Sequence, residues 1–131
     1  MGLPVSTRYY AYDIHRPRVD LINHYFRLPG LQPLATQQDI QVDPPQIDAD
    51  AAFFFKEAHR FEQRQRGSSL KMWRALNVGT ILVSLPTSSL NGRHNLLERQ
   101  RALVYGALED EHWPVTELAF ETEMVFCIEK K

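Results

Sequence analysis

A clear alternation of apolar and polar residues runs through residues 116–129, and it constrains the fold more than any other feature of the chain. Successive side chains on a strand point to opposite faces, so a period of two is typical of a half-buried strand. The residues predicted to share the buried face are Leu118, Phe120, Thr122, Met124, Phe126 and Ile128. Glu117, Glu121 and Glu123 fall on the other face, which we expect to be largely exposed to water. The chain therefore needs a sheet with a core on one side.

Two more strands are predicted in the middle of the chain. The first, residues 51–61, carries phenylalanines at period two, and the second, residues 70–85, has apolar side chains on both faces, as packed central strands do. The polar segment between them contains Gly67, and hairpin turns often need a glycine. We therefore predict one long β-hairpin over residues 51–85.

Two helices are predicted from apolar residues at helical spacing. The first covers residues 17–28 and begins with Pro17, which a first helical turn tolerates. The second covers residues 95–109, where Asn95 and Glu98 have the spacing of a capping box. Both helices need to bury their apolar stripes against the sheet.

The remaining segments are less regular. Residues 1–16 are interpreted as a short strand or as an arm lying on a neighbour. Residues 31–50 form a proline-marked segment with a weak strand candidate at 40–42, and either a functional loop or an edge hairpin fits it. The order helix, loop, strand, strand, helix, strand predicts a single α+β domain over residues 1–131. Its fold is predicted to be a mostly antiparallel sheet with a long β-hairpin and two helices on one face.

Charge and cysteine content narrow the function classes. The chain has 15 Lys and Arg against 16 Asp and Glu, a net charge of −1, whereas proteins that clamp a phosphate backbone usually carry a basic excess. Cys127 is the one cysteine, so no internal disulfide forms, and we expect it to act as a small buried hydrophobe. Neither a signal peptide nor an apolar run long enough for a bilayer is visible, which favours synthesis in the cytoplasm.

Catalytic and ligand-binding motifs are scarce. Glu57 and His59 share a face of a predicted strand, and His15, His24 or Asp13 would be needed to complete a metal site. No glycine-rich phosphate loop, paired-cysteine motif or nucleophile elbow occurs. The sequence therefore predicts no catalytic residue, no metal, no cofactor and no enzymatic activity.

Two charged clusters are candidate contact surfaces. The basic cluster converges on the predicted hairpin turn and consists of Arg60, Arg64, Arg66, Lys71 and Arg74, with Phe61 and Trp73 nearby. Contact with nucleic-acid phosphates and contact with an acidic protein surface both fit it, and the near-zero net charge favours the protein. The acidic face of the last strand, Glu117, Glu121 and Glu123, offers the opposite charge. A head-to-tail ring that joins the two clusters is one hypothesis.

The layout resembles that of phage tail terminators and tail-completion proteins. The segments that carry the resemblance are 51–56, 73–86 (WRALNVGTILVSLP), 95–109 and 117–131 (ELAFETEMVFCIEKK), whereas residues 1–16 and 31–50 depart from it. The resemblance implies a homo-oligomeric ring, six-fold, which closes the tail tube and joins it to the head–tail connector protein. It also implies a place in the virion tail or neck, assembly in the host cytoplasm, and DNA that passes through the ring.

Two other classes of function remain open. One is a small ferredoxin-like nucleic-acid-binding domain that uses the basic hairpin 60–74, and salt-sensitive oligonucleotide binding would favour it. The other is a small enzyme or ligand-binding domain with Glu57 and His59 in its site, which a stoichiometric metal would favour.

Overall fold

A computed structural model describes residues 8–29, 32, 34–55, 64–88 and 95–130. The chain divides into two compact units, residues 1–44 and residues 45–131, and each is described by itself. The first unit contains β1 (Ala11–Asp13), α1 (Arg16–Arg27) and β2 (Ala35–Gln37). The second contains β3 (Ala51–Phe55), α2 (Ser68–Ala75), β4 (Thr80–Pro86), α3 (Leu97–Ala107), β5 (Val115–Ala119) and β6 (Glu123–Glu129).

The first unit is a strand–helix–strand motif. β1 and β2 are parallel, with Ala11 opposite Ala35 and Asp13 opposite Gln37. Parallel neighbours need a crossover between them, and α1 supplies it. The Asn23 side chain fastens α1 to β2, since its Nδ2 donates to the Ala35 carbonyl at 3.0 Å and its Oδ1 accepts from the Ala35 N–H at 2.9 Å.

Two predictions for this unit are confirmed. The helix over residues 17–28 is α1, and the short strand, one of the two interpretations of residues 1–16, is β1. The proline-marked loop contains β2. The strand candidate at 40–42 is wrong, because the chain turns there and the Val42 and Asp43 N–H groups both donate to the Asp39 carbonyl at 3.1 and 2.9 Å. Three-residue strands leave too little periodicity to be recognised in a sequence.

The second unit is built on a four-stranded sheet in the order β3-β4-β6-β5. β3 and β4 are parallel, with Phe54 opposite Val83. β6 is antiparallel to both β4 and β5. The fold is therefore mixed α/β, and the predicted antiparallel pairing holds for β6 but not for β1–β2 or β3–β4. Whether residues 1–131 act as one domain stays a prediction.

The predicted hairpin over residues 51–85 is wrong. Its first half contains β3, but its second half forms helix α2 before β4 begins, and β4 runs parallel to β3. The buried residues Ser69, Met72, Trp73 and Leu76 recur at the helical spacing of three and four. Gly67, assigned to a hairpin turn, adopts a left-handed conformation with φ +81° at the residue that precedes α2. Apolar side chains fall on both faces of the predicted strand 70–85 because its first part is the helix α2 and its second part is the strand β4.

The predicted strand over residues 116–129 is two strands. β5 and β6 form a hairpin that is closed by a hydrogen bond from the Phe120 N–H to the Glu123 carbonyl at 2.8 Å. The reversal changes which residues of β5 are buried: Glu117 lies opposite Phe126, whereas Leu118 and Phe120 are exposed. Met124, Phe126 and Ile128 are buried, as the alternation predicts.

The core of this unit lies on one face of the sheet. The side chains on that face come from three adjacent strands and are almost fully buried: Phe54, Ile81, Val83, Leu85, Met124, Phe126 and Ile128. α3 packs here, with the Tyr105 ring edge-on to Phe126 at 6.1 Å between centroids. α3 confirms the helix predicted over 95–109, and Asn95 Oδ1 accepts the Leu97 N–H at 2.9 Å. In the described part of the chain, no helix is long and apolar enough to cross a membrane.

Candidate functional site

A carboxylate lies at the carboxyl end of the parallel strands in the first unit. Asp13 is the last residue of β1, and the chain turns from it into α1. Its Oδ1 accepts the His15 N–H at 2.8 Å and Arg18 Nη2 at 3.0 Å, while its Oδ2 accepts Arg18 Nε at 2.9 Å. Ligands of parallel α/β sheets bind beyond this end of the strands, so Asp13 is placed where a ligand would meet the sheet.

The backbone around Asp13 is held from β2. The Gln38 N–H donates to the Asp13 carbonyl at 2.9 Å, and Gln37 Nε2 donates to the Ile14 carbonyl at 3.2 Å. The Asn23 contacts with Ala35 hold the helix against the same strand. The backbone of Asp13 and Ile14 and the helix that follows them are therefore all held by hydrogen bonds to β2 and the residue after it.

The Asp13 carboxylate is ionised at neutral pH. Hydrogen bonds from Arg18 have the largest effect and lower the pKa of Asp13. Burial, the next largest effect, raises the pKa in part, and the His15 N–H lowers it further. An ionised carboxylate has about four lone-pair sites, and three hydrogen bonds reach Asp13 from Arg18 and His15. The arrangement can therefore accept a hydroxyl donor, and more than one if the exposed Arg18 side chain moves away.

The predicted basic cluster does not form a hairpin tip. Arg64 and Arg66 are exposed in the segment before α2, and Lys71 is exposed on α2 itself. Arg74 is engaged by Glu111, whose Oε1 accepts from its Nε at 2.7 Å. Arg60 lies outside the described residues. The contact role predicted for these side chains stays a prediction.

The predicted acidic face is divided between different environments. Glu117 is half-buried beneath α3, where its carboxylate accepts Arg101 Nη2 at 2.8 Å and the Tyr105 hydroxyl at 2.6 Å. Glu121 is exposed in the hairpin turn, and Glu123 lies near the Ser84 hydroxyl at 3.5 Å. Arg101 also donates to Glu98 at 2.7 Å. Glu117 is thus part of a network that joins α3 to β5.

The Glu117 network is expected to make stability depend on pH. Hydrogen bonds from Arg101 and then Tyr105 lower the pKa of Glu117, so the stability it contributes is present above the ordinary glutamate pKa of about 4.3 and is lost as the pH falls through the lower pKa of the folded state. Glu117→Gln should lower the urea midpoint at pH 7 by about 0.3 M, as expected for a partly exposed pair.

Urea unfolding at pH 7 and at pH 3 tests this expectation. The difference between Glu117→Gln and the unsubstituted protein should be smaller at pH 3 than at pH 7, because the stability that the ionised Glu117 contributes is lost as its carboxylate becomes protonated. Glu121→Gln is the matched control, because Glu121 is exposed in the neighbouring turn. A difference that stays the same at both pH values would show that the charge of Glu117 contributes nothing.

Metal binding finds no support in the part of the chain that the structure describes. No group of three or more His, Cys, Asp and Glu side chains there could hold an ion. Glu57 and His59, the pair singled out in the sequence, lie outside the described residues. Cys127 is half-buried, and burial raises the pKa of its thiol.

Comparison with known families assigns the chain. Residues 1–127 match the family model described as ribosomal RNA methyltransferase (FmrO). The chain belongs to the FmrO family. A 16S rRNA (guanine(1405)-N(7))-methyltransferase of Serratia marcescens is 31% identical over 119 residues, which are 90% of this chain and 47% of that protein. An uncharacterised 10.9 kDa protein encoded in the fmrO 5′ region of Micromonospora olivasterospora is 29% identical over 86 residues, which are 65% of this chain and 87% of that protein.

Solved structures agree with the FmrO assignment. An rRNA methylase from Escherichia coli superposes with a TM-score of 0.80 at 26% identity, over 95% of this chain and 49% of that one. The 16S rRNA methyltransferase RmtF, solved in complex with S-adenosyl-L-homocysteine, gives a TM-score of 0.80 at 26% identity, over 92% of this chain and 46% of that one. The chain therefore spans about half the length of these structures and of the Serratia marcescens relative.

Membership of the FmrO family overturns the functional predictions from the sequence. The resemblance to phage tail terminators is wrong, and with it the hexameric ring, the tail-tube and connector partners and the location in a virion. The prediction that the chain is not an enzyme is wrong as well, because the relatives are methyltransferases. The alternative prediction, a ferredoxin-like nucleic-acid-binding domain, is closer to the relatives, which act on ribosomal RNA. Its ferredoxin-like fold is wrong, because β3 and β4 are parallel neighbours. The resemblance to tail terminators rested on the order of helices and strands alone. Unrelated proteins share such an order, so without a sequence motif it does not identify a function.

Asp13 is the candidate residue that the sequence reasoning undervalued. The sequence indicates it only as a possible third ligand of a metal. The available signal was a short aromatic segment, Tyr9 to Tyr12, that ends in an acidic residue directly before a helix. Recognising it requires knowing that β1 and β2 are parallel, which places the end of β1 at the ligand-binding edge.

Proposed function

We propose that this chain forms part of a methyltransferase that modifies 16S ribosomal RNA and takes its methyl group from S-adenosylmethionine. The match of residues 1–127 to the FmrO family carries the proposal. The position of Asp13 at the ligand-binding end of a parallel strand–helix–strand motif supports it. The activity belongs to the complete fold, of which this chain supplies about half.

Asp13 is proposed to bind the ribose of the cofactor. An acidic side chain at the end of a strand of this kind accepts hydrogen bonds from ribose hydroxyls in nucleotide-binding α/β folds. The Asp13 carboxylate fits that role because it is ionised and lies on a backbone segment that Gln38 holds. In that position its oxygens would fix the sugar, and the bound cofactor would supply a methyl group activated by its sulfonium.

The rest of a cofactor site is expected to come from the part of the fold that this chain does not contain. Close approach of a backbone to a nucleotide cofactor uses a glycine-rich turn that opens a helix. The six glycines of this sequence are scattered singly and form no such turn. The residues present therefore fit the ribose end of the cofactor.

Contact with RNA is proposed for the exposed basic side chains at the start of α2. Arg64, Arg66 and Lys71 lie within eight positions of one another and are all exposed. Phosphate contacts by Arg and Lys supply most of the affinity of nucleic-acid binding and require no net positive charge on the whole protein. This is the phosphate-contact interpretation of the basic cluster, now with ribosomal RNA as the partner.

A chimera of this chain with its Serratia marcescens relative tests the proposed function. In the chimera, this chain replaces the part of the relative that it matches, and transfer of radiolabelled methyl groups to 16S rRNA in 30S subunits is measured. Asp13→Asn should raise KM for S-adenosylmethionine by about tenfold or more, since a hydrogen bond to a charged group contributes about 1.5–3 kcal/mol. Arg66→Glu with Lys71→Glu should raise KM for 30S subunits and leave KM for the cofactor unchanged.

Asp20→Asn is the matched control, because Asp20 is an exposed carboxylate of α1 that pairs with Arg16. A chimera that has the circular dichroism of the relative but transfers no methyl group would contradict the proposal. Equal cofactor KM values for Asp13→Asn and Asp20→Asn would remove Asp13 from the ribose site.

A further inference from the structure

A glutamine occupies a buried position of α3. Gln100 and Val104 lie one turn apart on the buried side of this helix, and Gln100 is only 5% exposed. A polar side chain at such a position is unusual, because an amide that leaves water needs a hydrogen-bond partner in its place. An apolar side chain would pack there without that requirement. The glutamine therefore needs an explanation other than the packing of α3.

The Gln100 side chain holds the end of β4. Its Nε2 donates to the carbonyl of Pro86, the last residue of that strand, at 2.9 Å. Two backbone hydrogen bonds hold the next residue: the Thr87 N–H donates to the Thr122 carbonyl at 2.9 Å, and the Leu96 N–H donates to the Thr87 carbonyl at 2.8 Å. The end of β4 is thus joined to the β5–β6 turn and to the residue before α3.

The end of β4 lies at the ligand-binding edge of the second unit's sheet. β3 and β4 are parallel, so their carboxyl ends meet at one edge, beyond which ligands of such sheets bind. β6 is antiparallel to β4, with Glu123 opposite Pro86, so the β5–β6 turn lies at the same edge. Among the described residues, a cleft of about 320 Å³ opens here. Its lining includes Thr87, Ser88, Asn95, Phe120, Glu121 and Glu123. The backbone that Gln100 holds therefore forms one wall of this cleft.

The chemistry of the cleft suits a base of an RNA better than its phosphates. Phe120 is 63% exposed, and nucleic-acid bases stack on aromatic rings of this kind. Glu121 and Glu123 line the cleft, and none of its described lining residues is basic. Carboxylates repel phosphates, whereas they accept hydrogen bonds from the amino groups of bases. The position of the wall relative to Phe120 then decides whether a base fits between them.

We propose that Gln100 is a positioning residue of the methyltransferase, which keeps residues 86–88 in place as the cleft wall against which an RNA base is held. Gln100 acts through the Pro86 carbonyl and does not itself line the cleft. The inference rests on the proposed function, because it takes RNA as the molecule that enters the cleft.

The variant Gln100→Met tests this role in the chimera with the Serratia marcescens relative, because methionine has a similar volume and lacks the amide donor. KM for 30S subunits should rise about fivefold or more, since loss of a hydrogen bond of this kind changes an equilibrium by about that factor. KM for S-adenosylmethionine should stay the same, because the proposed cofactor contact, Asp13, belongs to the first unit. Val104→Ala is the matched control: it should lower the urea midpoint through the same buried side of α3 and leave both KM values unchanged.

Hydrogen exchange of the unfused chain gives a second measurement that is independent of activity. In Gln100→Met the Thr87 and Leu96 amides should exchange about tenfold faster, because the end of β4 opens locally more often. In Val104→Ala both amides should keep their rates. Equal rates in Gln100→Met and the unsubstituted chain would overturn the proposal, because the strand end would then be held without Gln100.

The kinetic outcomes separate this inference from the proposed function. A chimera that is inactive before any substitution contradicts the proposed function and this inference together. An active chimera in which Gln100→Met and Val104→Ala give the same KM for 30S subunits contradicts the inference alone. A rise in KM for 30S subunits in Gln100→Met only, together with the faster exchange, is the result that the positioning role requires.

Discussion

Replacing Phe126 with alanine is expected to lower the free energy of unfolding of the second unit by about 3–5 kcal/mol. Phe126 has no exposed surface and lies on the face of the sheet that carries the core, opposite both Val83 and Glu117, with Tyr105 against its ring. Truncation would remove its buried surface and leave a cavity that three strands and α3 cannot fill. Because a domain has only about 5–15 kcal/mol of stability in total, part of the variant should be unfolded without denaturant.

Urea unfolding followed by the fluorescence of the buried Trp73 measures this loss. Val125→Ala is the matched control, since Val125 is the preceding residue of β6, points to the opposite face of the sheet and is half-buried. In the unfused chain it should cost below about 1 kcal/mol, as expected for a side chain that keeps much of its contact with water. Equal losses for the two variants would contradict the assignment of the two faces.

Replacing Asn23 with alanine is expected to cost the first unit about 2–4 kcal/mol, because each buried backbone group left without a partner costs about 1–3 kcal/mol. The Asn23 amide satisfies both the N–H and the C=O of Ala35, a residue that is 8% exposed. Both hydrogen bonds are part-buried, so neither backbone group is fully exposed to water that could replace the amide. The variant should therefore loosen the strand–helix–strand motif that supports Asp13.

Hydrogen exchange by NMR measures the effect directly, and the Ala35 amide should exchange roughly 10 to 100 times faster in the variant. His24→Ala is the control, because His24 is the next residue of α1 and is exposed. Unchanged protection of Ala35 in Asn23→Ala would show that the backbone of β2 is held by other contacts.

Part of the candidate site could be anticipated from the sequence. The helix after Asp13 follows from the spacing of its apolar residues, whereas Asp13 and His15 enter the sequence analysis only as residues that could complete a metal site. Their role was not accessible, because it depends on β2, which lies more than 20 residues further along the chain. The basic cluster was predicted at a turn between antiparallel strands, whereas Arg64 and Arg66 precede α2 and Lys71 lies on it.

The sequence by itself determined where side chains alternate or recur at helical spacing. These local patterns located α1 and α3 and showed that Met124, Phe126 and Ile128 are buried. Such patterns are visible in the sequence because the buried side chains of an element repeat with its own period, 3.6 residues in a helix and two in a strand.

Only the tertiary structure decided which strands pair and in which direction. Parallel pairing of β3 with β4, the reversal between β5 and β6 and the placing of Asp13 beside β2 all depend on contacts between distant residues. A short apolar segment such as 68–76 can form either a helix or a strand, and the elements that pack against it in the folded protein decide between the two. The energy that selects one arrangement comes from the assembled core, which no local segment contains.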